Sequence, residues 1–279
     1  QETPKAILAG NKIFLSFEVE ESPNKNLYFQ LLNMDLSPYG SATALADPAT
    51  SKQGFDMVYG NDGYIYYAYS ENYDIVVNKI SSSGVEQWST PIVTNPADDI
   101  IKSIYPSPGS GCFIIYESDP AGEPSHIYVL AVDGNGQAIS GWPVSISNSS
   151  GGQYYESSVL TEYGIFITFR DNSSGNYDVY GQYVVFNGNL IFGSSGQDIA
   201  SGSYSQQASS VAYNQNIDEV FVCYETSSGD ETDIHCKEIQ LSNQSISAPV
   251  IISENPFNQE NPYVYWSGGS YLIAWEDAR

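Results

Sequence analysis

One pattern of about fifty residues recurs along this chain, and it limits the fold more than any other feature of the sequence. Each occurrence has an apolar segment that ends in an aromatic residue, an acid one or two residues later, a polar loop and a second apolar segment. Self-similarity at a period of this size is typical of propellers and other repeat folds. The aligned aromatic residues lie 47 to 55 residues apart: Phe17, Tyr69, Tyr116, Phe169, Tyr224 and Trp275.

Every repeat consists of strand-like segments joined by tight turns. The segments are rich in β-branched and aromatic residues, the turns are rich in Gly, Asn, Asp and Ser, and no stretch has the period of a helix. Runs such as YIYYAY and CFIIY are apolar on consecutive residues, which indicates strands that are covered on both faces. The pattern predicts an all-β fold, a β-propeller of about six four-stranded blades, whereas β-sandwich domains would repeat at roughly 90–100 residues.

We expect one propeller domain over residues 1–279, with an incomplete last blade. A partial unit at 261–279 follows complete units near 4–50, 54–97, 100–150, 155–204 and 208–255. Either the chain continues beyond Arg279 or another chain completes the sixth blade. An unfinished blade leaves an open strand edge to which another chain can pair.

The charge of the chain excludes several partners. With 33 Asp and Glu against 9 Lys and Arg, the formal net charge is -24 at pH 7. The chain lacks the basic surface that nucleic acid requires, so we expect no nucleic-acid binding, and no apolar run is long enough for direct membrane insertion. Because the first residue is Gln1, we expect an extracellular or cell-surface protein whose signal peptide has been removed.

Two segments carry a resemblance to a known repeat. The strings FRDNSSGNYDVYGQYV at 169 and AWEDAR at 274 resemble the W-x-D-x-R…D-I-Y-A-Q repeat of secreted bacterial β-propeller proteins, which often occurs in surface proteins exported by the type IX system. Units one, three and five keep the aromatic residue and the acid but lose the Arg and the Gln of that repeat. The resemblance implies a propeller, secretion and a modular parent protein, and it implies no defined activity.

Two hairpin loops contain oxygen-bearing side chains at alternating positions. A hard cation such as Ca²⁺ takes six to eight oxygen ligands, so these loops are candidate calcium sites. Neither loop has the full spacing of a calcium-binding loop, and the same residues also serve to cap tight turns through side-chain to backbone hydrogen bonds. Both interpretations stay open for Asp171, Ser173 and Asp178 in the first loop, and for Glu225, Asp230 and Asp233 in the second.

The second hairpin also contains two of the three cysteines. Folding it about residues 228–230 sets Glu225 opposite Ile234, Tyr224 opposite His235 and Cys223 opposite Cys236. Directly opposed residues on paired strands bring their Cβ atoms close to the distance that a disulfide requires. The spacing therefore predicts a disulfide bond between Cys223 and Cys236, whereas a register slip of one residue would send the sulfurs to opposite faces.

No catalytic residues are predicted. The sequence has neither a G-x-S-x-G elbow nor an H-E-x-x-H motif, and the acid that recurs in most repeats is better explained by the turns than by one catalytic pair. Aromatic side chains that stack on sugars need exposed rings, and the candidates for such a ligand platform are Tyr154, Tyr155 and Trp266.

These features favour a secreted or cell-surface protein that is not an enzyme. We expect a binding or structural module with a protein or glycan partner, in a homo-oligomer or a surface assembly, with no cofactor other than calcium. The alternative is a carbohydrate-active protein, lectin-like or a glycoside hydrolase, that uses one face of the propeller.

Overall fold

The computed structural model describes residues 2–21, 24–45, 52–227, 229 and 231–278. Every regular element among these residues is a β-strand, so no helix that could cross a membrane is found in the described part of the chain. The contacts group the chain into two compact units, residues 1–123 with 128–144, and residues 124–127 with 145–279.

Three four-stranded sheets lie wholly or mostly in the first unit. The first sheet consists of β1 (Glu2–Ala9), β2 (Lys12–Glu21), β3 (Asn24–Leu32) and β4 (Pro38–Ala44). The second consists of β5 (Lys52–Tyr59), β6 (Tyr64–Glu71), β7 (Asp74–Ser81) and β8 (Glu86–Val93). The third consists of β9 (Asp98–Pro106), β10 (Gly111–Asp119), β11 (His126–Asp133) and β12 (Val144–Ser145).

The second unit contains three further sheets. The fourth sheet consists of β13 (Gln153–Leu160), β14 (Gly164–Asp171), β15 (Asp178–Val185) and β16 (Gln197–Ala200). The fifth consists of β17 (Gln206–Asn214), β18 (Glu219–Ser227), β19 (Thr232–Gln240), β20 (Ser245–Ile246) and β21 (Val250–Ser253). The sixth is the hairpin of β22 (Gln259–Trp266) and β23 (Tyr271–Asp277).

The order of the strands confirms the predicted fold class. In the first four sheets, strands that follow one another in sequence are also neighbours in the sheet, which is the meander of a propeller blade. The fifth sheet has the same order from β17 to β20, and β21 also pairs with β19. The chain is an all-β protein of the β-propeller class, and its sixth blade has two strands among the described residues.

A β-bulge interrupts the first strand of every blade, where its pairing with the second strand shifts register. The shifts bracket Gly54 in β5, Glu156 in β13 and Asn261 in β22. Gly54 has a φ of 56°, and a Cβ at this position would lie 2.7 Å from the carbonyl oxygen of Ile101, so no larger residue fits there. Bulges bend a strand and increase its twist, as radially arranged blades require.

The second strand of a blade is buried on consecutive residues. Strands β6, β10, β14 and β18 each contain a run of six buried positions. Such burial requires packing on both faces, as the unbroken apolar runs in the sequence predicted. The aligned aromatic residue of this strand contacts a ring on the third strand in four blades: Phe17 with Tyr28, Tyr116 with Tyr128, Phe169 with Tyr180, and Tyr224 with His235.

A buried lysine joins the second and third blades. The ammonium group of Lys79 donates to Oδ2 of Asp62 at 2.9 Å and to the carbonyl oxygen of Gly134 at 3.2 Å. It also lies 4.1 Å from the centre of the Tyr64 ring. The indole of Trp88 donates to the same carbonyl at 3.0 Å. Because every charged and polar group in this contact has a partner, we assign it a structural role.

Candidate interaction surfaces

The first candidate calcium loop is held together by its own side chains. Oδ1 of Asp171 accepts the backbone N–H of Ser173 at 2.8 Å. Oδ2 of Asp178 accepts the hydroxyl of Ser174 at 2.6 Å. Both aspartates are buried, whereas Ser173 is exposed. These contacts are those of side chains that cap a turn.

Asp178 also fixes the connection between the fourth and fifth blades. Its Oδ1 accepts the backbone N–H of Gly202 at 3.2 Å. The neighbouring amide of Asn176 donates to the carbonyl oxygens of Gly202 and Tyr204, at 3.2 and 3.1 Å. The end of this hairpin therefore holds the chain segment 201–205 in place.

The second candidate loop divides its acids between two faces of the hairpin. Glu225 pairs with Ile234 and Thr226 pairs with Asp233, so the carboxylates of Glu225 and Asp233 project from neighbouring positions that face opposite ways. Burial raises the pKa of Asp233, and Glu254 adds to that shift. Asp230 lies outside the described residues.

No group of three or more His, Cys, Asp or Glu side chains among the described residues is arranged to hold a metal ion. Calcium binding by these loops therefore stays a prediction of the sequence, and the contacts of Asp171 and Asp178 are those of the turn-capping alternative.

The hairpin of β18 and β19 has the predicted register. Cys223 lies directly opposite Cys236, one position from the pair of Tyr224 and His235. The structure joins the two cysteines by a disulfide bond, and both are fully buried. The third cysteine, Cys112, is a buried free thiol.

The three aromatic residues of the predicted ligand platform do not come together. Tyr154 and Tyr155 are half-buried neighbours on β13 and project from opposite faces of that strand. The guanidinium of Arg170 lies over one face of the Tyr154 ring, 5.3 Å from its centre. The ring of Trp266 packs on that of Tyr271, with centres 4.8 Å apart. These side chains act in packing and form no single flat surface.

A cavity of about 470 Å³ beside Arg170 contains three glutamates that sequence reasoning did not group: Glu156, Glu225 and Glu260. Oε2 of Glu156 accepts the backbone N–H of Ser209 at 2.8 Å, and its Oε1 lies 3.4 Å from Nε of Arg170. Oε1 of Glu260 accepts the amide of Asn258 at 3.0 Å. Each carboxylate already has a hydrogen-bond partner in the protein, as expected of groups that hold bulged strands in place.

The hairpin of β22 and β23 has one packed face and one exposed face. On the packed face, Val264 is buried, and Tyr271 stacks on Phe221 of the fifth blade with ring centres 4.5 Å apart. On the other face, Tyr263 is 63% exposed and Leu272 is 58% exposed. Buried and exposed residues alternate along this hairpin, as expected of strands that have one face packed and the other exposed to solvent.

The exposed face is continuous across the two strands. Tyr263 pairs with Ala274, and Tyr265 pairs with Leu272, so these four side chains share a face. Within the described part of the chain, no third strand pairs with the outer edge of β23. We call these four residues, together with that edge, the terminal-hairpin surface.

No protein-family model matches this chain, and no curated protein matches its sequence. The chain is similar to a solved protein of unknown function from Dyadobacter fermentans, with 10% identity, a TM-score of 0.57, and coverage of 98% of this chain and 89% of that one. It is also similar to hydrazine synthase from Kuenenia stuttgartiensis, with 13% identity, a TM-score of 0.59, and coverage of 95% and 70%. An α-L-arabinanase from Penicillium chrysogenum, solved with arabinobiose, has 10% identity, a TM-score of 0.49, and coverage of 80% and 74%. At such identities the likeness concerns the fold alone.

Proposed function

We propose that this chain is a non-enzymatic binding or assembly module of a secreted or cell-surface protein, and that it binds a partner β-strand along β23. The terminal-hairpin surface carries this proposal, because among the described residues it combines an unpaired strand edge with exposed apolar side chains. In each of the other five sheets a third strand pairs with the second. A partner strand on β23 would restore the same pairing in the sixth blade.

The third strand of the fourth blade indicates the chemistry of that partner. Strand β15 has the sequence DVYGQYVV and pairs with β14 over the full length of both strands. The fourth and sixth repeats are the two that most resemble the secreted propeller repeat. The expected partner is therefore a short strand with one acid at its start and with apolar residues on both faces.

In the proposed role the strand belongs to a partner protein, in a homo-oligomer or a surface assembly. The net charge of -24 makes two copies repel each other. Salt screens such repulsion, so self-association is expected to strengthen as the ionic strength rises. Secretion is supported by the resemblance to the secreted repeat and by the scarcity of Lys and Arg.

A synthetic peptide with the sequence DVYGQYVV, blocked at both ends, tests the proposal. We expect saturable binding to the chain by fluorescence anisotropy, and Leu272→Lys is expected to weaken it at least about tenfold, the effect of placing a charge on a buried apolar contact. Val85→Lys, at a position of similar exposure in the first unit, is the matched control. Failure of the peptide to bind, or equal binding by Leu272→Lys, would exclude strand capture at β23.

A further inference from the structure

The third blade has an open pocket of about 610 Å³ that lies within the first unit. Its lining side chains among the described residues are all uncharged, which is a local exception in a chain with a net charge of -24. Its volume lies in the range of about 300–1,000 Å³ that is typical of ligand pockets. Three prolines line it: Pro96, Pro120 and Pro143.

Two tyrosines form the floor of the pocket. Tyr116 on β10 is buried, and Tyr128 on β11 is half-buried. Their rings stack with centres 5.4 Å apart and planes 20° apart. The ring of Tyr128 is therefore accessible to a ligand, and its contact with Tyr116 holds it in place.

The rim of the pocket is rigid and poor in hydrogen-bond donors. Pro96 and Pro143 are exposed, and Pro120 is half-buried. Proline has a fixed φ and no backbone N–H, so these residues place apolar carbon atoms at set positions. A ligand that binds here orders little of the protein, which favours binding. A partner β-strand, in contrast, needs free N–H groups along a strand edge.

Acidic side chains stand beside this apolar pocket. Asp119 lies in the chain between the lining residues Ser118 and Pro120. The backbone N–H of Glu123 donates to the carbonyl oxygen of Pro120 at 3.1 Å. Both acids are exposed. Asp119 is also directly opposite Asp98 on the paired strands β9 and β10, where like charges repel each other.

The lysine on these strands does not neutralise that charge. The ammonium group of Lys102 already pairs with Glu117, at 2.6 Å. A cationic group on a partner would therefore relieve the repulsion between Asp98 and Asp119, and an anionic group would add to it.

We propose that this pocket docks a proline-rich segment of a partner polypeptide that carries basic residues on both sides of its prolines. A polyproline II segment has no internal hydrogen bonds and a solvated backbone, so it needs neither a strand edge nor many donors, and its rings pack in grooves lined by aromatic residues. The basic residues are selected by the acids at the rim. A sugar or another polar ligand would leave polar groups unpaired against the apolar walls.

The pocket shares no residue with the terminal-hairpin surface. The proposed segment is therefore a second partner for the proposed binding module, and it does not depend on strand capture at β23.

Three peptides blocked at both ends test the proposal: KPPPPPPK, EPPPPPPE and KGSGSGSK. The intact chain is titrated against each labelled peptide, and binding is followed by fluorescence anisotropy. We expect KPPPPPPK to bind at least about tenfold more tightly than either of the other two, because only this peptide combines proline rings with basic ends. Higher ionic strength is expected to weaken this binding.

Ala121→Arg places a long cationic side chain at an exposed turn position of the pocket, where it does not disturb the core. It is expected to weaken the binding of KPPPPPPK at least about tenfold. Ala42→Arg adds the same charge at an exposed position of β4 in the first unit and is expected to leave the binding within about twofold of the wild type.

Equal binding of KPPPPPPK and KGSGSGSK would reduce the interaction to charge attraction alone. Equal binding of KPPPPPPK and EPPPPPPE would remove the role of the acids, and equal binding by wild type and Ala121→Arg would place the peptide elsewhere on the chain. Any of these results would overturn the proposal.

Discussion

The backbone N–H of Asn261 donates a 2.7 Å hydrogen bond to Oε1 of Glu225. Asn261 sits in the bulge of β22 and has a φ of 54°, a conformation that few residues other than glycine adopt. Glu225 is 4% exposed and follows the aligned aromatic residue of the fifth blade. In the second blade Ser70 occupies the same place and its hydroxyl accepts the N–H of Ile101 at 3.0 Å. The polar residue after the aromatic therefore ties one blade to the first strand of the next.

This bond predicts a stability effect for Glu225. In Glu225→Ala the N–H of Asn261 and the amide of Gln207 both lose their acceptor. We expect the free energy of unfolding to fall by about 1–2 kcal/mol, because two partly buried donors lose a charged acceptor. Urea denaturation followed by tyrosine and tryptophan fluorescence measures this change.

Glu231→Ala is the matched control, because Glu231 is an exposed acid in the loop of the same hairpin. It is expected to change stability by less than about 0.5 kcal/mol. A similar loss in both variants would mean that negative charge in this hairpin matters more than the hydrogen bond to Asn261.

The disulfide between Cys223 and Cys236 predicts a thiol count. The denatured, unreduced protein should react with one equivalent of iodoacetamide, at Cys112, and the reduced protein with three. Intact mass spectrometry distinguishes the two states. Three reactive thiols without reductant would show that the pair is not oxidised in the isolated protein.

The same bond also predicts a change in stability. In the chain-entropy model, a cross-link lowers the conformational entropy of the unfolded chain. For a loop of this length, this stabilises the fold by about 3 kcal/mol. Replacing both Cys223 and Cys236 by Ala is expected to lower the midpoint of thermal unfolding, and the double variant should no longer respond to reductant.

Asp99 predicts a pH dependence. Its carboxyl is fully buried, and neither oxygen makes a hydrogen bond of good geometry within the described residues. Burial raises its pKa, Ser118 and Asn95 offset part of the effect, and the charges of Asp74 and Asp98 add to it. A raised pKa means that the folded state binds the proton more tightly than the unfolded state does, so Asp99 destabilises the fold as the pH rises above the unfolded value.

Asp99→Asn, which is neutral at every pH, is expected to be more stable than the wild type at pH 7, with the difference shrinking towards pH 4. Thermal melts across this range measure the effect, and the exposed Asp119→Asn provides the control. If the stability of Asp99→Asn relative to the wild type were lower at pH 7 than at pH 4, the raised pKa of Asp99 would be contradicted.

Much of the fold could be predicted from local patterns. The aromatic and acidic positions repeat with the blades, turn residues mark the loops, and the hairpin of β18 and β19 has the register that its loop length sets. The sites were harder to predict. Asp178 could be identified as a loop acid, but its bond to Gly202 joins residues 24 positions apart, and no local pattern encodes that contact.

The sequence by itself determined the repeat, the all-β class and the opposed cysteines, because each depends on residues that are close along the chain. The tertiary structure decided which polar side chains of the described residues have partners and which do not. Arg170 packs against Tyr154, Gln259 is fully bonded, and the buried Oε1 of Gln206, at the same repeat position, has no hydrogen-bond partner among the described residues. These differences arise because blades of similar sequence meet different neighbours, and hydrogen bonding depends on those neighbours as much as on the residue itself.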